Sequence, residues 1–106
     1  MSTRTAENQS ESDPARAVYQ ISSRAFALAR EVVDGAGDAT QRTERARELD
    51  EQLTNLWPQT SDAAALDPGL SQAWSDARLD LTYVLSGGEI SGTSTRLFAY
   101  LQSRQT

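Results

Sequence analysis

The chain contains no cysteine, no histidine and no lysine. Without cysteine there is no disulfide framework and no thiolate nucleophile. Without histidine there is no Ser-His-Asp triad and no His-ligated zinc site, and without lysine there is no Schiff base and no P-loop lysine. Among the familiar catalytic groups, carboxylates and hydroxyls remain. All ten basic residues are Arg, set against 15 acidic ones, for a net charge of −5. That sign excludes a strong electrostatic hold on nucleic acid or anionic lipid, while leaving a basic protein surface as a partner. Arg in place of Lys, with abundant Ala, is the composition that a GC-rich bacterial, archaeal or viral genome imposes. An acid-rich, Lys-free chain also fits a salt-loving source.

Long apolar runs are missing too. Nothing approaches the roughly 20 residues that span a bilayer. The opening stretch MSTRTAENQSESD has no apolar segment of the kind a signal peptide needs, so the chain reads as cytoplasmic. Residues 1–12 are polar and aperiodic and read as a disordered tail, which leaves 13–104 as a single domain. A domain of about 90 residues buries only about 60–65% of its unfolded surface, so a partner or a second copy would add to a thin stability margin.

What is present is a helical pattern. Asp13-Pro14 is a helix-start signal, followed by Val18, Ile21, Ala25, Leu28 and Val32 at spacings of three and four. Tyr19, Phe26 and Val33 add a flanking stripe, so the apolar face is wide enough to touch two neighbours. Gly35-Ala36-Gly37 ends the run. A second helix starts near Asp38 or Thr40, buries Ala46, Leu49, Leu53 and Leu56, and is expected to stop at Trp57 because Pro58 follows. A short turn of helix is expected through Ala63–Ala65. Asp67-Pro68 repeats the start signal and opens a third helix with Leu70, Trp74, Ala77, Leu81 and Val84 on one face, closed by Gly87-Gly88. A short fourth helix beginning near Ser91 or Thr93 carries Leu97, Phe98 and Leu101. No alternating stretch argues for a strand. The expected fold is all-α, a small four-helix bundle with antiparallel neighbours, or helical hairpins that dimerise.

Glu48 and Glu51 form an E-x-x-E pair on the second helix, and Asp76 and Asp80 lie one turn apart on the third. Four carboxylates on facing helices are what an all-α Mg²⁺ site needs, because hard cations take oxygen ligands. On Glu48-Leu49-Asp50-Glu51 and Ala77-Arg78-Leu79-Asp80 the chain resembles the MazG-like nucleotide pyrophosphatases, which pair E-x-x-E with E-x-x-D. Ala77 stands where that pattern has its third glutamate. The resemblance implies a Mg²⁺-dependent activity on nucleoside triphosphates, with Glu48, Glu51, Asp76 and Asp80 as ligands. The plainer reading makes these residues solvated helix faces with pairs such as Arg47–Glu51.

The stretch from Ser86 to Thr95 is rich in glycine and hydroxyls, as phosphate-binding loops are, yet it carries Glu89 and matches no Walker or Rossmann spacing. Glycines ending one helix and hydroxyls capping the next account for it. Leu79 and Tyr83 lie one turn apart, away from the main stripe of the third helix, and Trp57 ends the second. Leu79, Tyr83 and Trp57 therefore form the candidate interaction surface, since aromatics anchor protein interfaces. The leading expectation is a non-enzymatic protein that binds another protein or itself, as adaptor, accessory subunit or inhibitor, with no cofactor. The alternatives are the Mg²⁺ pyrophosphatase and a carrier of apolar ligands.

Overall fold

The structure, a computed structural model, describes residues 14–89 and 92–105. The chain is all-α: among the described residues there are four helices and no strand, α1 (Pro14–Asp34), α2 (Ala39–Leu66), α3 (Pro68–Leu85) and α4 (Thr95–Gln105). The expected tail over 1–12 and the cap at Asp13 lie outside the described residues. No helix among the described residues is long and apolar enough to cross a membrane.

Local chemistry sets most of the boundaries. Asp38 caps α2 by accepting the Thr40 N–H at 2.8 Å, and Asp67 caps α3 by accepting the Gly69 N–H at 3.0 Å with Pro68 in the first turn. Two helices end in the same six-residue closure. In α1 the Ala36 N–H reaches back to the Glu31 carbonyl, and in α3 the Gly88 N–H reaches the Tyr83 carbonyl. That closure needs a left-handed residue, supplied by Gly35 at φ 69° and Gly87 at φ 72°.

The expected stop at Pro58 does not occur, and α2 continues through it to Leu66. Proline removes one N–H from the helical ladder and crowds the carbonyl four residues back, here that of Thr54. Both residues are exposed, so the freed carbonyl meets water rather than apolar core. Beyond the proline, Thr60 and Ala64 are buried. The Thr60 hydroxyl donates back to the Leu56 carbonyl at 2.9 Å, which adds a local bond on the inner side. Packing of the far half of α2 therefore outweighs the local penalty.

The core is one cluster that includes Val18, Ile21, Leu28, Leu49, Leu53, Leu70, Leu81 and Leu97. Leu53 at its centre is completely buried, worth about 2 kcal/mol from transfer alone. Helices α1, α2 and α3 all pack on one another. Trp57 meets Trp74 and Asp50 meets Arg78, so α2 and α3 are antiparallel. The Tyr19 hydroxyl donates to Asp67 near the start of α3, while Gly88 lies against Val32 near the end of α1, so α1 and α3 run in the same sense.

Helix α4 departs from the expected bundle of antiparallel neighbours. It packs on α1 and α3 and makes no contact with α2. Its partners on α1 ascend with it, Arg96 to Ser22, Tyr100 to Phe26 and Asp34, Arg104 to Asp34. It therefore runs with α1 rather than against α3. The stripe flanking the main face of α1 is what it covers: Phe26 meets the Tyr100 ring edge-on with centroids 6.4 Å apart.

Candidate interaction faces and the buried polar cluster

The four carboxylates singled out above do not converge. Asp80 is completely buried at the junction of α3 and α4. The Ser94 hydroxyl donates to one of its oxygens at 2.6 Å, and Arg96 donates to the other through Nε at 2.9 Å and through its terminal nitrogen at 2.7 Å. The same terminal nitrogen of Arg96 donates to the Ser22 carbonyl of α1 at 2.7 Å, and the guanidinium lies 4.8 Å from the Phe26 ring centre. Ser94 also caps α4 by accepting the Leu97 N–H at 3.2 Å. Burial pushes the Asp80 carboxyl above its ordinary range, and the Ser94 and Arg96 donors pull it part of the way back. One carboxylate thus ties α1, α3 and α4 together.

The other three carboxylates point elsewhere. Asp76 accepts a hydrogen bond from Gln72, one turn earlier on its own helix, at 2.8 Å. Glu48 lines a groove between α1 and α2, and Glu51 is exposed. Among the described residues no group of three or more His, Cys, Asp or Glu side chains comes together as a metal-binding cluster. In the glycine-rich stretch, Gly87 and Gly88 close α3 while Ser94 caps α4, the roles that the plainer reading assigned to it.

The expected apolar edge of α3 divides. Tyr83 is only 7% exposed and belongs to the core. Gly88 folds back over its ring so closely that a Cβ there would sit 3.2 Å from the Tyr83 hydroxyl oxygen. Leu79 stays 39% exposed, so the two residues do not form a shared surface. The helical wheel put Tyr83 on an outer face because it counts only neighbouring helices, and here a turn supplies the cover.

Trp57 is different. It is 41% exposed and lies against Trp74 of α3, with ring centroids 4.4 Å apart and planes tilted by 42°. One turn along α3, Arg78 pairs with Asp50 of α2 at 3.2 Å. An open aromatic pair thus sits beside a charged pair in the seam between α2 and α3.

On the other side of α2, the seam with α1 is an open groove. It consists of two adjoining depressions of about 430 and 350 Å³ that share Arg24 and Gln52. Leu28, Leu49, Ile21 and Leu56 contribute apolar walls, and charged and amide side chains rim it. Ile21, Leu28, Leu49 and Leu56 were legible as core positions and Glu48 as a spaced carboxylate, but neither their meeting in a groove nor the Ser94 and Arg96 partners of Asp80 followed from the sequence pattern. In Thr93-Ser94-Thr95 each residue is a competent helix cap, so nothing local marks the one that binds Asp80.

Comparison with protein-family models, with curated proteins and with solved structures finds no match to this chain.

Proposed function

We propose that this chain works by binding another protein, with Trp57 as the anchor of the contact and no chemistry of its own. The observation that carries this reading is the half-open Trp57–Trp74 pair between α2 and α3. Tryptophan left partly outside a core offers a large rigid apolar area, and such residues dominate the energetics of protein interfaces. The Arg78–Asp50 pair beside it is the polar rim that such a centre uses. The net charge of −5 makes a basic partner surface the better match, and its cations would stack favourably on an indole face.

The test places a photoreactive side chain at Trp57, and separately at exposed Gln72, in the cells that make the protein. One discrete adduct at 57 and none at 72 is expected. The captured protein, purified, should bind the parent chain and lose about 30-fold or more in affinity to Trp57→Ala, as a hot-spot residue does. The variant must keep a cooperative melt for that loss to count. Adducts at both positions, or equal affinity for parent and variant, would sink the reading.

A further inference from the structure

Outside its apolar walls of Ile21, Leu28, Leu49 and Leu56, the groove between α1 and α2 has rims with a regular spacing. On α1 they are Ala17, Gln20, Arg24, Ala27 and Glu31; on α2 they are Arg45, Glu48, Gln52, Asn55 and Gln59. Each set advances by three and four residues, the spacing that keeps side chains on one seam of a helix facing a partner. These stripes flank the ones that α1 and α2 bury in the core. Helices α1 and α2 run antiparallel, and one depression is lined by 24–31 with 45–52 and the other by 17–24 with 52–59, which brings Glu31 level with Arg45, Arg24 with Gln52 and Ala17 with Gln59.

Among the described residues, neither Arg24, Arg45, Glu31 nor Glu48 forms an ion pair within its own chain. Two cations and two anions in one groove offer no net attraction to a uniformly charged partner. They do complement a second copy of themselves. We propose that the α1–α2 face is a homodimer interface, in which two such faces pair about a two-fold axis parallel to the helices. That axis preserves height, so α1 of each copy lies antiparallel to α2 of the other. Glu31 then faces Arg45 of the second copy, and Arg24 comes within a turn of its Glu48, each pairing occurring twice. Ala17 and Ala27 leave room for the longer side chains of the opposite α2. The result is a four-helix arrangement of two hairpins, with the polar side chains setting register. This face is separate from the Trp57 surface, so each reading can fail alone.

The test is sedimentation equilibrium of the parent, of Glu31→Arg and of Arg45→Glu at about 100 µM, a hundred-fold above a micromolar dissociation constant. The parent is expected at twice the chain mass. Each variant places like charges opposite each other and should weaken dimerisation by about a hundred-fold. An equimolar mixture of the two variants restores both pairings and should form a heterodimer, which repair of a contact inside one chain could not produce. Trp57→Ala should leave the dimer intact. A monomeric parent overturns the proposal, and so does a dimer that both reversals leave unchanged. A mixture that stays monomeric would overturn the Glu31–Arg45 pairing and the interface with it.

Discussion

Removing Arg96 would leave the Asp80 carboxylate fully buried, with Ser94 as its remaining donor in this cluster. A buried charge stripped of its counter-ion costs about 3–5 kcal/mol, whereas neutralising both partners is far milder. Arg96→Gln should therefore destabilise the fold by about 3 kcal/mol at pH 7, and adding Asp80→Asn should return most of it. The pH dependence has a definite sign. Burial already holds the Asp80 carboxyl above its unfolded value, and loss of Arg96 raises it further. For a raised acid the native state holds the proton more tightly, so stability is fully present below about pH 3.9 and declines as pH rises through the folded value. The deficit of Arg96→Gln in urea melts should then shrink as pH falls from 7 toward 4. A loss of the same size at every pH would mean that Arg96 acts through its contacts with Phe26 and Ser22 instead. At this scale the sequence was least legible. Asp80 was visible as one of several spaced carboxylates, but its partners lie 14 and 16 residues away, beyond the end of α3, where no periodicity connects them. Tyr83 was misplaced for the same reason, because the Gly87–Gly88 turn that covers it is not part of any helix face.

Helices were far easier to read, because their ends carry their own chemistry. Asp38, Asp67-Pro68, Gly35 and Gly87 mark boundaries that hold without reference to the rest of the molecule. Pro58 is the exception. Read locally it ends α2, and only the burial of Thr60 and Ala64 on its far side explains why it does not. That conflict between local and tertiary preference leaves a measurable strain. Alanine at position 58 would restore an N–H facing the Thr54 carbonyl and remove the ring from it, a gain of about 3 kcal/mol on the intrinsic scale. Part is offset because proline also restricts the unfolded chain, by about 0.4–1 kcal/mol. Pro58→Ala should therefore stabilise by about 2 kcal/mol, seen as a higher urea midpoint with an unchanged slope. A lower midpoint would show that the proline sets a bend which the far half of α2 needs for its packing.

At the scale of the whole molecule, the helices among the described residues could be counted from the sequence, but their arrangement in space could not. Nine residues, 86–94, separate α3 from α4, and at about 3.3 Å per extended residue they allow α4 to return along α1 as readily as to reverse against α3. What decides is the Phe26 stripe of α1 together with Asp80. The outcome is an uneven fold. Helices α1, α2 and α3 each pack on the other two, while α4 is held on one side only. Of its side chains, Leu97 is fully buried and Phe98 remains 56% exposed. Leu101 packs partly buried on the core and the Tyr100 ring meets Phe26 edge-on, and the polar ties are the Arg96–Asp80 cluster, the Tyr100 hydroxyl donating to Asp34 at 2.7 Å, and Arg104 with Asp34 at 3.1 Å. The last two are at the surface and contribute little. Segments with few buried apolar contacts open before the rest of a domain unfolds. Native-state hydrogen exchange should accordingly find α4 opening at about 2 kcal/mol below the slowest amides of α1 and α3. Arg96→Gln should lower α4 protection more than it lowers theirs, while Arg78→Gln, at the α2–α3 seam, should leave that gap unchanged. If α4 amides instead exchange together with the slowest ones, in the parent and in Arg96→Gln alike, the four helices form one cooperative unit. The buried carboxylate would then stabilise the whole fold rather than fasten its last helix.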